Sequence, residues 1–201
     1  MKLYSYVVAR DYGFAPNPFF AVCSLATCKP RIRKTAKVGD WVVGTGSAAN
    51  GRAGSLVFVM RVSEAMTFDD YWNDQRFRRK RPRFDASRRD AFGDNIYHQS
   101  HGGWTQEKSH HSHPDGSPNK ANIDNDTQTN RVLLGTEFAY WGDSGPKIPA
   151  KFRSLYGYDL CAGRGHKSAF STPFVSAFES WFYSTSERGQ LGRPLDWKRT
   201  P

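Results

Sequence analysis

Two apolar runs dominate the pattern of the chain. Trp41, Val42 and Val43 follow the turn dipeptide Gly39-Asp40, and Leu56 to Val62 is rich in β-branched and aromatic residues. Short apolar runs of this composition, bounded by turn signals, predict buried strands. The link between them, Gly44 to Ser55, carries Gly44, Gly46, Gly51 and Gly54 together with Asn50 and Arg52. It predicts a hairpin with a polar, glycine-rich mouth that another molecule can approach closely.

Along the rest of the chain, Leu3 to Ala9 predicts a first strand. Tyr12 to Phe20 is a loop, because Gly13, Pro16, Asn17 and Pro18 forbid regular structure while four aromatic rings sit among them. Those rings serve as a plug under the domain or as a stacking surface for a flat ligand. Ser24 to Lys37 predicts a short helix broken or restarted at Pro30, with Arg31, Arg33, Lys34 and Lys37 outward and Ile32 and Ala36 inward. A strand end and a helical turn follow over Ser63 to Asn73. Arg131 to Trp141 restores strand character, with Gly135 as a bulge. Pro173 suits the first turn of a helix capped by Ser171 or Thr172, and Phe174, Ala177, Phe178, Trp181 and Phe182 share one face of it. The tail from Ser184, with Gly189, Gly192, Pro194 and Pro201, is polar and is expected to fray.

Composition narrows the setting. A chain of 201 residues is long for one domain and short for two, which predicts a single domain over 1–201 with 73–130 as a large insertion. The formal charge of +10, from 29 Lys+Arg against 19 Asp+Glu, favours polyanionic partners. No leader peptide and no run long enough to span a bilayer is legible. Cys23, Cys28 and Cys161 form no CxxC pair, which argues against a disulfide framework or a cysteine zinc site and makes the cytoplasm the natural compartment. A buried, inert thiol is the expectation for Cys161.

Two stretches carry candidate chemistry. Arg76 to Asp90 places Arg76, Arg78, Arg79, Lys80, Arg81, Arg83, Arg88 and Arg89 around Phe77 and Phe84. Cations interleaved with aromatics are the pattern of a groove that tracks a nucleic-acid strand. Gly93 to Asn130 holds five of the six histidines, His98, His101, His110, His111 and His113. Its apolar periodicity is weak, so it reads as a long insertion loop. Imidazoles there are candidates for metal ligation, although no HExxH spacing occurs. A histidine beside Asp94 or Asp126 is a candidate acid or base. Tyr97 and Trp104 are candidates for stacking, with Asn95 and Gln106 reading polar edges.

The order of a strand, a ligand-facing loop, a small basic helix, KVGDWVVGTGS and a second apolar run ending in SEAMTFDDYW resembles the PUA-like β-barrels, above all the EVE, YTH and ASCH branches. More specifically, YSYVVARDYGFAPNPFF, GDNIYH with GGWTQEKSHHSH, and RVLLGTEFAYWG resemble the family catalogued as nucleotide modification associated domain 2, over nearly the whole chain. The first resemblance implies a barrel whose mouth takes up a base or nucleotide. The second implies the company of DNA-modification systems.

The resulting expectation is an α+β protein, a small, partly closed PUA-like barrel with flanking helices and the His-rich insertion over its mouth. It is expected to bind a nucleic acid or nucleotide, with a modified or flipped base in that mouth, alone or with other components of a modification system, and no membrane. Candidate ligand-binding residues are Arg10, Asp11, Asn17, Phe19, Thr45, Ser47, Asn95, Tyr97, Trp104 and Gln106. Arg31, Arg33, Lys34, Arg76, Arg78, Arg79, Lys80 and Arg81 are candidates for the phosphate backbone. The alternative is an enzyme that modifies or hydrolyses a nucleotide or base with His98, His110 and His111 as acid or base. The cofactor stays unknown, with a divalent metal as one option.

Overall fold

The computed structural model describes residues 1–198. Its strands are β1 (Leu3–Val8), β2 (Cys23–Leu25), β3 (Trp41–Gly46), β4 (Leu56–Arg61), β5 (Glu64–Met66), β6 (Tyr97–Ser100), β7 (Gly103–Gln106), β8 (Val132–Gly135), β9 (Glu137–Tyr140), β10 (His166–Lys167) and β11 (Gly189–Gln190). The α-helices are α1 (Pro30–Thr35), α2 (Phe68–Asn73), α3 (Arg88–Ala91), α4 (Lys120–Thr127) and α5 (Thr172–Ser184). Short 3-10 turns punctuate the loops.

The hairpin of β3 and β4 lies in the middle of a six-stranded sheet of order β10-β1-β3-β4-β9-β11. Its two strands are antiparallel from Trp41↔Arg61 onward, with a register shift between Gly44 and Thr45. β1 runs parallel to β3, from Leu3↔Trp41 to Val8↔Gly46, because the chain crosses over through β2 and α1 between them. A second sheet has the order β2-β8-β5, and β6 with β7 forms a separate hairpin. Among the described residues no helix is long and apolar enough to cross a membrane.

Side chains alternate across the large sheet, so its two faces build two cores. Tyr4, Tyr6, Val42, Phe58 and Met60 pack against Cys23, Leu25, Ile32 and Leu133 of the second layer. Leu3, Trp41, Val43 and Val59 face Phe174, Phe178 and Phe182 of α5. Ser171 caps α5 by accepting from the Phe174 N–H at 3.4 Å. That helix and its buried face follow the sequence expectation.

The barrel does not form. The sheets are open layers: β8 belongs to the small sheet and β9 to the large one, so the run Arg131 to Trp141 steps between layers instead of closing a cylinder. Gly135 is the step, where a Cβ would collide with Met60 and the Arg61 carbonyl. The strand end of the glycine-rich connection is packed, since a Cβ on Gly44 would strike the Phe58 ring and one on Gly46 the Arg52 carbonyl, whereas one on Gly51 would meet open space.

Residues 73–130 are not a structureless loop. They carry α3, β6, β7 and α4, and Phe77, Ile96 and Tyr97 share a third core with Phe14, Ala26, Phe68, Tyr71 and Val132. The tail is docked rather than frayed: Gly189 and Gln190 pair with Ala139 and Tyr140, and Trp197 stacks on Phe19 at 5.6 Å. Pro201 lies outside the described residues.

Candidate functional site

The turn from β2 into α1 puts Cys28 and Lys29 in left-handed conformations, φ 56° and 42°. Each such non-glycine residue costs about 1–3 kcal/mol and persists only where surrounding contacts impose it. Those contacts are visible. The Cys28 N–H donates to Asp126 Oδ1 at 2.7 Å. Buried Arg33, one turn into α1, donates to the carbonyls of Cys28 (2.8 Å), Thr129 (2.9 Å), Arg131 (2.7 Å) and Asp126 (2.5 Å). One guanidinium thus ties the start of α1 to the end of α4.

This clamp sets up a linear array. Cys28 Sγ lies 3.8 Å from His111 Nε2, and His111 Nδ1 lies 2.8 Å from Asp126 Oδ2. Tyr97 donates its hydroxyl to the same Asp126 oxygen at 3.0 Å. Gln106 donates to the Tyr97 hydroxyl at 3.0 Å, and Asn122 holds the His111 carbonyl at 2.8 Å. Thiol and carboxylate meet opposite edges of one imidazole, so the array suits proton relay rather than chelation. Among the described residues no group of three or more His, Cys, Asp or Glu side chains is arranged to hold a metal ion.

Above the array opens a cavity of about 350 Å³ lined by Arg10, Tyr12, Phe14, Ala15, Cys28, His110, His111 and Asn122. That volume is at the small end for ligand pockets. The His110 ring lies 4.4 Å from that of Tyr12 and 5.3 Å from that of Phe14, which is 4.7 Å from His111. The electrostatics differ between the neighbouring histidines. Burial alone would lower His111, but its hydrogen bonds to Asp126 and Cys28 push it up to about 9. His110 keeps an exposed edge, yet desolvation by the rings, with the positive charge of His111 and Arg10, pushes it down to about 4. Burial raises the Cys23 thiol to about 12, which leaves it inert.

The other expected ligand residues are mostly committed to packing. Asp11 is buried, accepts from Tyr140 at 2.6 Å, and is raised to about 6 by desolvation. Asn17 is fully buried, donating to the Phe92 carbonyl and accepting from Lys80 at 2.7 Å. Phe19 is fully buried, and Thr45 donates to the Tyr6 carbonyl at 3.3 Å. Ser47 caps a 3-10 turn in the hairpin loop, away from the cavity lining. Asn95 donates to the Tyr71 carbonyl, and Trp104 packs edge-on against Phe68 at 5.5 Å. His98 stacks on Trp72 at 4.3 Å and meets Glu107 at 2.9 Å. As the neighbour of Tyr97 in β6, it points to the opposite face from the array. The structure therefore brings together Arg10, Tyr97, Gln106, His110 and His111, with Cys28 and Asp126, and leaves the others elsewhere.

The basic passage divides in the same way. Arg33 and Lys80 are buried, so neither is placed for phosphate. The Lys80 ammonium is spent on Asn17 and Ser24. Arg76 is neutralised by a two-pronged contact to Glu64, both 3.0 Å, and by Asp74. Arg81 lies over Trp72 at 3.7 Å. Arg31, Lys34, Arg78 and Arg79 are exposed. Arg79 and Arg89 both lie over the Phe20 ring, at 4.3 and 5.1 Å. They line a groove of about 600 Å³ that shares Arg79 with a second, bordered by Gln75, Arg78, Arg81 and Arg83. Among the described residues neither Arg79 nor Arg89 forms an ion pair.

Sequence reasoning read Arg89 only as one cation of the basic passage, and did not single out Cys28 as a site residue. The missed signal for Cys28 was the Cys-Lys-Pro order between a strand and a helix, with His and Asp some 80 to 100 residues distant. No curated protein and no solved structure matches the chain. A family model does: nucleotide modification associated domain 2 matches residues 1–201, and the chain belongs to that family.

Proposed function

We propose that the protein binds a polynucleotide as part of a nucleotide-modification system, its phosphates along the Arg79-centred grooves and one base in the Cys28–His110 cavity. The observation that carries this reading is the pair of guanidinia on Phe20. Two like charges held against one ring, neither of them in an ion pair among the described residues, repel each other, and an anion between them relieves that repulsion. Rings from Phe20 through Phe19, Trp197, Phe92 and Tyr12 to His110 follow one another at 4.4 to 6.4 Å, so groove and cavity lie within reach of one strand. Tyr12 and His110 offer ring surface to an unstacked base above buried Phe14, each stack worth about 1–3 kcal/mol, and Arg10 stands at the rim for a flanking phosphate.

Fluorescence anisotropy with short single-stranded DNA across a salt series tests the reading. Affinity falls with salt, and Arg79→Ala with Arg89→Ala weakens binding by about tenfold or more and flattens the slope by about 0.7 per lost phosphate contact. Affinity that ignores both salt and the double substitution contradicts it.

A further inference from the structure

The cavity holds a second capability that base binding does not require. A base pocket needs rings and hydrogen-bonding edges; it does not need a thiol aligned with an imidazole whose far nitrogen is fixed by a buried carboxylate. Cys28 sits on a strained strand-to-helix turn and lines the cavity. His111 is within 3.8 Å of that sulfur, and Asp126, fully buried, anchors the ring at 2.8 Å. Nucleophile, base and orienting acid in this order are the arrangement of covalent hydrolases, recognised by geometry and not by chain position.

We propose that Cys28 is a nucleophile, with His111 as its base and Asp126 as the positioning residue, that cleaves a carbon–nitrogen bond at an amide- or amidine-type carbon on the guest in the cavity. In the resting pair the Cys28 proton sits on His111 Nε2, and Cys28 Sγ bonds to that carbon as the π electrons move onto its oxygen or nitrogen. The tetrahedral adduct collapses, the carbon–nitrogen bond breaks, and His111 returns the proton to the departing nitrogen. Water then adds to the thioester or thioimidate carbon, giving a proton to His111. Cleavage of the carbon–sulfur bond frees the sulfur beside protonated His111, the starting pair, so the net reaction consumes one water and releases one amine or ammonia. His111, raised to about 9 by its bonds to Asp126 and Cys28, is the imidazolium at neutral pH, the form that donates to the departing nitrogen. The identity of the guest as a nucleobase rests on the binding reading above; the activated thiol does not.

Alkylation by iodoacetamide at pH 7, read residue by residue by peptide mass mapping on the full chain, tests the thiol without any nucleic acid. Half-buried Cys161 serves as the internal standard, since a general loosening of the fold speeds both sites. Cys28 is expected to react about tenfold or more faster than Cys161. His111→Gln and Asp126→Asn should each reduce that ratio about tenfold while Cys161 keeps its rate. A Cys28 that reacts no faster than Cys161, or a ratio that both substitutions leave unchanged, overturns the proposal. A protein that passes this test yet shows no salt-dependent DNA binding loses only the polynucleotide reading.

Discussion

At the scale of single residues, His111 couples the site to stability. Its pKa rises from the ordinary 6.5 to about 9 on folding, so the folded state binds its proton more tightly. The stabilisation is complete below pH 6.5 and is lost as pH climbs through 9, with a ceiling of about 3 kcal/mol. The unfolding midpoint of the wild-type protein should fall between pH 6.5 and 9, and His111→Gln should flatten that decline. Thermal unfolding across this range reads it directly; an identical decline in the variant assigns it to other groups. Residue type alone was a poor guide here. Arg33 and Lys80 look like solvent-facing cations in the sequence, yet one is used up by four carbonyls and the other by Asn17 and Ser24. Charge does not announce burial when the partners are backbone oxygens far along the chain.

At the scale of elements, local pattern served where local forces decide. The β3–β4 pair, β1 and α5 follow from apolar runs, a turn dipeptide and a Ser-x-Pro cap. The helix expected from Ser24 begins only at Pro30, because Cys23, Ser24 and Leu25 pair with Gly135, Leu134 and Leu133, a contact more than a hundred residues away that no local window contains. The same limit hid the array, whose members come together only through the α1–α4 clamp. Arg33→Lys tests that clamp. An ammonium cannot reproduce the planar fork, so carbonyls are left unpaired, and the expected cost is about 2–4 kcal/mol in denaturant unfolding. The Cys28 alkylation advantage should shrink with it. Unchanged stability in this variant would show that the clamp is not what holds α1 against α4.

At the scale of the whole molecule, two open layers replace the expected barrel, and the candidate site moves from the hairpin mouth to the seam between the small sheet, α1 and the folded 73–130 region. Family membership was legible in the motifs of the chain; the closure of its sheets was not, because strand pairing across layers depends on the step at Gly135. The net charge of +10 acquires a location in the Arg79 grooves, since Arg76 is already neutralised by carboxylates. The central claim is that one strand occupies both groove and cavity. Photo-crosslinking of an oligonucleotide carrying 5-iodouracil, mapped by mass spectrometry, tests it most directly. Cross-links should fall on Tyr12, Phe14 or His110 and disappear when Arg79 and Arg89 are both alanine; cross-links confined to the hairpin loop 47–55, or unaffected by the two substitutions, would contradict it.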